Sequence, residues 1–235
     1  MRFQTALAPA RLLRRYKRFL ADCVLEHSGT EITAHCANPG SMMGLAEPGT
    51  RVWLEPNNDP KKKLKYGWRL IDHENGHFTG VDTSVANRAL KSALMAREIP
   101  AFTPYGLVRP EVKYGQNSRI DFLLSEPGLP DLYIEVKSVT LSRSPGHAEF
   151  PDSVTARGAK HLSELAAMRA AGHRALMLYL VQRTDCSTFG FARDIDPVYA
   201  SAYDAAARAG VEILCLGTNI SPEGVTVSEP VKIDI

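Results

Sequence analysis

Asp121, Glu135 and Lys137 lie in two short apolar runs, SRIDFLLS and DLYIEVKSVTL, separated by EPGLP. Charge inside an apolar strand is costly unless it is paired or serves a ligand. If the two runs form a hairpin turning about Gly128, antiparallel partners have numbers that sum to 256. That register sets Asp121 across from Glu135, Ile120 across from Val136 and Phe122 across from Ile134. Strand alternation then puts Asp121, Glu135 and Lys137 on one face, and Ile120, Phe122, Ile134 and Val136 on the other, against the core. Two facing carboxylates repel each other, and a divalent cation between them removes the conflict. Mg²⁺, with Mn²⁺ as the alternative, takes oxygen ligands from one or two carboxylates together with water and substrate phosphate. Asp121 and Glu135 supply the carboxylates and the Val136 carbonyl a third oxygen. Lys137 supplies a cation able to position an attacking water or to stabilise phosphorane charge. Such a set suits phosphodiester hydrolysis. Glu111 on the preceding run is a further candidate carboxylate. Arg157 and Lys160, one turn apart on a predicted helix, are candidates for holding phosphate, and His161 shares a face with Arg157. The plainer alternative is an ion-pair network on an exposed sheet face. The spacing of 14 residues between Asp121 and Glu135, with a helix predicted on each side, favours the metal site.

The elements that must carry these residues are legible from period and punctuation. VDTSVANRALKSALMA places Val85, Leu90, Ala93 and Leu94 on one helical stripe, with Asp82, Thr83 or Ser84 as the cap and Pro100 as the stop. LVRPEVKY, SRIDFLLS and DLYIEVKSVTL read as three successive strands, the first two linked by GQN. PDSVTARGAKHLSELAAMRAAGH and DPVYASAYDAAARAG read as helices, and RALMLYLVQR and VEILCLG as strands buried on both faces. Helix, three strands, helix, strand, helix, strand is an α/β order with a mixed sheet, assigned to residues 81–235. Before Val81, the segments RFLADCVLEH, GTEITAHCAN, PGSMMGLAEPG and TRVWLEP are short and rich in turn residues, which predicts a small barrel over residues 1–80.

Charge is divided unevenly between these two parts. Residues 1–70 hold 12 Lys and Arg against 6 Asp and Glu, whereas the remainder holds 16 against 20. In KKKLKYGWR, Lys61, Lys62, Lys63 and Lys65 interleave with Tyr66 and Trp68, a mixture able to hold phosphates by charge and bases by stacking; the other reading is a solvated loop. CANPGSMMG, with Pro39, Gly40 and Gly44 bracketing Ser41, is either a strand connection or a set of backbone amides offered to phosphate. The four cysteines are far apart, with neither a disulfide framework nor zinc-finger spacing, which points to the cytoplasm. No apolar stretch approaches the roughly 20 residues of a membrane span. Glycine-rich nucleotide loops are missing from the sequence.

At Asp121, Glu135 and Lys137 the chain resembles the PD-(D/E)xK phosphodiesterase superfamily, the restriction-endonuclease-like fold. The resemblance gives the Asp and ExK roles to these residues; Ile120 stands where a proline usually precedes the Asp. A closer resemblance covers essentially the whole chain: RFLADCVL, CANPGSMMGL, GVDTSVAN, EVKYGQNSRIDFLL, YIEVKSVTL, FPDSVTARGAKHLSEL and GVEILCL are similar to the sugar fermentation stimulation protein A (SfsA) family. It implies an OB-like barrel followed by a nuclease-like domain, and non-specific DNA binding linked to maltose and sugar utilisation. It also implies that Pro151, Asp152, Arg157, Gly158 and His161 lie beside the sheet site, and it marks Asp82 as a departure from a commoner Asn. Two expectations result: a DNA-binding, Mg²⁺-dependent nuclease, with RNA as the alternative substrate, or a non-catalytic DNA-binding regulator on a nuclease scaffold.

Overall fold

The computed structural model describes residues 1–115 and 118–234. Gln116 and Asn117 of the GQN link, and Ile235, lie outside the described residues. The amino-terminal strands are β1 (Ala8–Tyr16), β2 (Leu20–Leu25), β3 (Glu31–Cys36), β4 (Arg51–Pro56), β5 (Tyr66–Asp72) and β6 (Phe78–Gly80). Hydrogen bonding runs in the order β3-β2-β1-β4-β5-β6, and a parallel β3–β5 pairing closes β1 to β5 into a five-stranded barrel. Alternation builds its core: Ala10 and Leu12, Ala21 and Cys23, Ala34 and Cys36, and Val52 and Leu54 all point inward. Three details differ from the sequence reading. The basic run Arg11–Arg15 lies in β1, with Leu12 inside and the cations on the outer side. PGSMMGLAEPG forms a loop rather than a strand. The predicted boundary between residues 80 and 81 falls between β6 and the first helix, but the first residues sit on the other unit: Arg2 bridges Gly224, and the Met1 ammonium donates to the Val225 carbonyl at 2.6 Å.

The remainder comprises α1 (Ser84–Met95), β7 (Leu107–Tyr114), β8 (Ser118–Ser125), β9 (Leu132–Val139), β10 (Leu141–Ser144), β11 (His147–Phe150), α2 (Ala156–Ala170), β12 (Arg174–Val181), β13 (Thr188–Phe191), α3 (Pro197–Arg208), β14 (Glu212–Ser221), β15 (Gly224–Pro230) and β16 (Lys232–Ile233). The main sheet has the order β15-β14-β12-β9-β8-β7. β9, β12 and β14 are parallel, while β7, β8 and β15 are antiparallel to their neighbours, so the sheet is mixed as predicted. α1 covers one face through Leu90 and Leu94, against Phe122, Ile134 and Val136. α2 covers the other through Leu162 and Leu165, with Tyr199 and Tyr203 of α3 in the same cluster. α1 ends at Met95, before Pro100, and Arg97 beyond it takes a left-handed φ of 58°. The sequence reading overlooked the small sheet β10-β11-β13-β16, whose strands of two to four residues are too short to show a period. Among the described residues no helix is long and apolar enough to cross a membrane.

Candidate functional site

The β8–β9 hairpin has the expected register, with Phe122 opposite Ile134 and Leu124 opposite Leu132. The ladder stops at the next pair, Asp121 and Glu135, because the Asp121 side chain intervenes: its Oδ2 accepts from the Val136 amide at 2.7 Å. Here strict alternation fails. Phe122, Ile134 and Val136 pack beneath α1 as predicted, but Ile120 packs with the α2 cluster on the opposite face.

Each carboxylate is oriented by a different helix. Asp121 Oδ1 accepts from Asn87 Nδ2, on the first turn of α1, at 2.7 Å. Glu135 is 3% exposed, and its Oε1 accepts from Lys137 Nζ at 2.8 Å and contacts His161 Nδ1 of α2. His161 is buried, and its Nε2 lies 3.2 Å from Arg157 Nε, one turn earlier. Guanidinium nitrogens only donate, so Nε2 accepts from Arg157, while Nδ1 faces both Glu135 Oε1 and, at 3.0 Å, Lys137 Nζ. The α2 turn that presents Arg157 and His161 is fixed at its start: Thr155 accepts from the Gly158 amide at 3.1 Å, and the Thr155 amide donates to Asp196 at 2.7 Å.

Burial first, and then the facing charge of Glu135, pushes Asp121 up to about 6, against the opposing Val136 amide, Lys137 and Asn87. Burial also acts to raise Glu135, but the His161 and Lys137 hydrogen bonds and charges together hold it below the usual carboxylate range. Glu135 Oε2 is buried with no hydrogen-bond partner among the described residues. A charged oxygen left bare beside a second carboxylate fits a cation ligand. Among the described residues no group of three or more His, Cys, Asp and Glu side chains is gathered for a metal, so the side-chain oxygens on offer here are those of the two carboxylates. That limits the fit to hard, oxygen-seeking cations of the Mg²⁺ type.

Asp121, Glu135, Val136, Lys137, Arg157 and His161 all line one cleft of about 500 Å³ between the two units. The barrel contributes Arg18, Asn38, Pro39 and Gly40 to the same wall. The CANPGSMMG turn is therefore a connection that also docks: Ser41 Oγ donates to the Asp152 carbonyl at 2.7 Å, and the Met42 amide to the Asp152 carboxylate at 3.3 Å.

Several expectations need correction. Glu111 is exposed on β7, with a left-handed φ of 55°, and does not line the cleft. Lys160 pairs with Glu164 at 3.6 Å and also lies outside the cleft lining. Trp68 is fully buried in the barrel, its indole N–H bonded to the Leu70 carbonyl, so it has no face for a base. Lys61, Lys62, Lys63 and Lys65, by contrast, are exposed on the β4–β5 loop, and Lys62 and Lys63 border a separate cavity. Asp82 does not reach the site either; it is buried and binds Arg69 and Arg88. Asn87 was missed, although a polar residue amid Val85, Ala86, Ala89 and Leu90 was a visible signal.

A family model described as the sugar fermentation stimulation protein RE domain matches residues 84–224, and another described as the SfsA N-terminal OB domain matches residues 13–81. Proteins named sugar fermentation stimulation protein homolog, from Roseobacter denitrificans and Ruegeria pomeroyi, are 75% and 74% identical. They cover 99% and 97% of this chain, and in each case 99% of the relative. The solved structure of Pyrococcus furiosus SfsA in complex with Ca²⁺ is similar with a TM-score of 0.88 at 25% identity, covering 100% of this chain and 98% of that one.

Proposed function

The chain belongs to the sugar fermentation stimulation protein (SfsA) family, and from that premise we propose that it is a cytoplasmic DNA-binding protein with a divalent-cation-dependent phosphodiesterase site in the interdomain cleft. The observation that carries the reading is the partnerless buried Glu135 Oε2 beside a half-buried Asp121 whose carboxyl is pushed up to about 6. The Ca²⁺ named with the Pyrococcus furiosus relative supports a site for a hard divalent cation.

Asp121 and Glu135, with the Val136 main chain, would hold Mg²⁺ or Mn²⁺. Such an ion, when bound, acidifies water and offsets phosphate charge. The remaining work falls to the chain. Asn87 and the Val136 amide hold Asp121 in place. His161 orients Glu135 through its Nδ1, and the exposed Arg157 guanidinium on the cleft wall is suited to a substrate phosphate. Lys137 places an ammonium 2.8 Å from Glu135, where it would stabilise charge accumulating on a phosphodiester. The free cysteines are compatible with a reducing compartment.

A second reading, a DNA-binding regulator of sugar metabolism without turnover, draws on that same ammonium. Lys137 is already engaged by Glu135 and lies 3.0 Å from His161 Nδ1, which leaves it less free to act on water. Incubation with single- and double-stranded DNA and RNA in Mg²⁺ or Mn²⁺, beside an EDTA control, separates the two. The phosphodiesterase reading expects metal-dependent cutting that falls roughly 10²-fold or more in Glu135→Gln with nucleic-acid affinity retained. Cutting that persists undiminished in the variant would remove the site; no cutting with binding intact would favour the regulator.

A further inference from the structure

The tip of the β1–β2 hairpin runs against local backbone preference. Lys17 and Arg18 both take left-handed φ values, 47° and 63°, where glycine would fit with less strain. A glycine pair would make the turn but carry no charge. Arg18 reaches the wall of the cleft. Next to it Phe19 is 43% exposed, its ring stacked on His35 of β3 with centroids 6.4 Å apart and planes 28° from parallel. The part of the ring not covered by His35 is open to a stacking partner.

Beyond His35 the barrel continues this row of flat groups. His35 lies beside Gly67 across the β3–β5 seam. A Cβ on Gly67 would come 3.2 Å from the Arg69 guanidinium, so that planar group rests over bare backbone. Arg69 is held there by Glu55 at 2.7 Å and by Asp82. A second cavity of about 580 Å³ opens along this row, bordered by His35, Tyr66 and Arg69 and, from the β4–β5 loop, by Lys62 and Lys63. Arg18 therefore stands at the cleft, Phe19 and His35 come next, and the Arg69 plane and the two lysines lie beyond. His35 lines the second cavity and joins it to the hairpin tip.

We propose that this track, Arg18 to Phe19 and His35 to Lys62 and Lys63, binds a single-stranded polynucleotide. Bases stack on Phe19 and His35, the lysines hold backbone phosphates, and Arg18 hands the strand to the cleft. The inference rests on the nucleic-acid reading above and deepens it by naming the strand form and its path. A single strand is required because a duplex has its base faces occupied by one another and offers none to Phe19.

The test is fluorescence anisotropy on the full chain in EDTA, with labelled oligo(dT) of about 15 nucleotides, oligo(rU) of the same length, and a blunt DNA duplex. The wild type should bind at least one single strand more tightly than the duplex, whichever sugar is preferred. Phe19→Ala should weaken single-strand binding about tenfold, leave duplex binding within twofold, and be rescued by Phe19→Trp. Replacing Lys62 and Lys63 with Gln should lower the single-strand salt slope by about 1.4. Equal or tighter duplex binding, or a Phe19→Ala variant that binds single strands like the wild type, would overturn the proposal. Cation-free binding is independent of cutting, so loss of the phosphodiesterase reading leaves this result standing; no binding to any oligonucleotide in EDTA would overturn the track, while the metal-dependent cleavage assay decides the phosphodiesterase reading separately.

Discussion

Asp121 is held in a conflict that pH can reveal. Its folded-state pKa, about 6, lies above the ordinary 3.8, so the folded protein binds this proton more tightly than the unfolded chain. The group's favourable contribution is fully present below the ordinary value and is lost as pH rises through about 6. Above that, the ionised pair costs about 2 to 3 kcal/mol in the cation-free protein. Asp121→Asn should therefore raise the thermal midpoint at pH 7.5 without divalent cation, and the gain should shrink toward pH 5. Added Mg²⁺ or Ca²⁺ should stabilise the wild type more than the variant. A variant that melts below wild type at pH 7.5 and equally so at pH 5 would show that the two carboxylates are not in conflict.

At the scale of elements, the site depends on where α2 starts. Asp196 is buried and serves two helices at once: its Oδ1 caps α3 through the Tyr199 amide at 2.9 Å, and its Oδ2 takes the Thr155 amide at the cap of α2. Asp196→Ala removes one cap and strands a main-chain donor, which should cost about 2 to 3 kcal/mol in urea unfolding. Because the affected turn carries Arg157 and His161, cation binding should weaken as well, and Asp196→Asn should restore much of both. A loss below about 0.5 kcal/mol would mean that the helix start is fixed by packing alone.

Across the whole molecule, the cleft wall depends on specific contacts by which the barrel docks on the sheet. Gly40 abuts Asp152 so closely that an added Cβ would overlap the carboxylate, which also receives the Met42 amide. Arg15 braces the same loop from β1, donating to the Asn38 and Gly40 carbonyls at 2.9 Å. Gly40→Ala should displace Asp152, lower stability by about 1 to 3 kcal/mol, and weaken nucleic-acid binding while the Glu135–His161–Lys137 contacts persist. Calorimetry alongside anisotropy checks this; an unchanged melt with unchanged binding would show that the docking tolerates a gap.

The sequence by itself determined the features that local period dictates: the mixed sheet, the helices, and the hairpin register that faces Asp121 with Glu135. Side-chain alternation and turn position are set by neighbours along the chain, so they can be counted. The same alternation put Trp68 inside the barrel with Leu70 and left Gly67 and Arg69 outside, a pattern present in KKKLKYGWRL that composition alone obscures. Only the tertiary structure decided that Asn87 and His161 would hold the two carboxylates, that Ile120 would change faces, and that Glu111 would remain in solvent. Those outcomes depend on where two helices cross one hairpin, and on the dry, low-dielectric environment made there. Segments distant in sequence create that environment jointly, and no one of them encodes it alone.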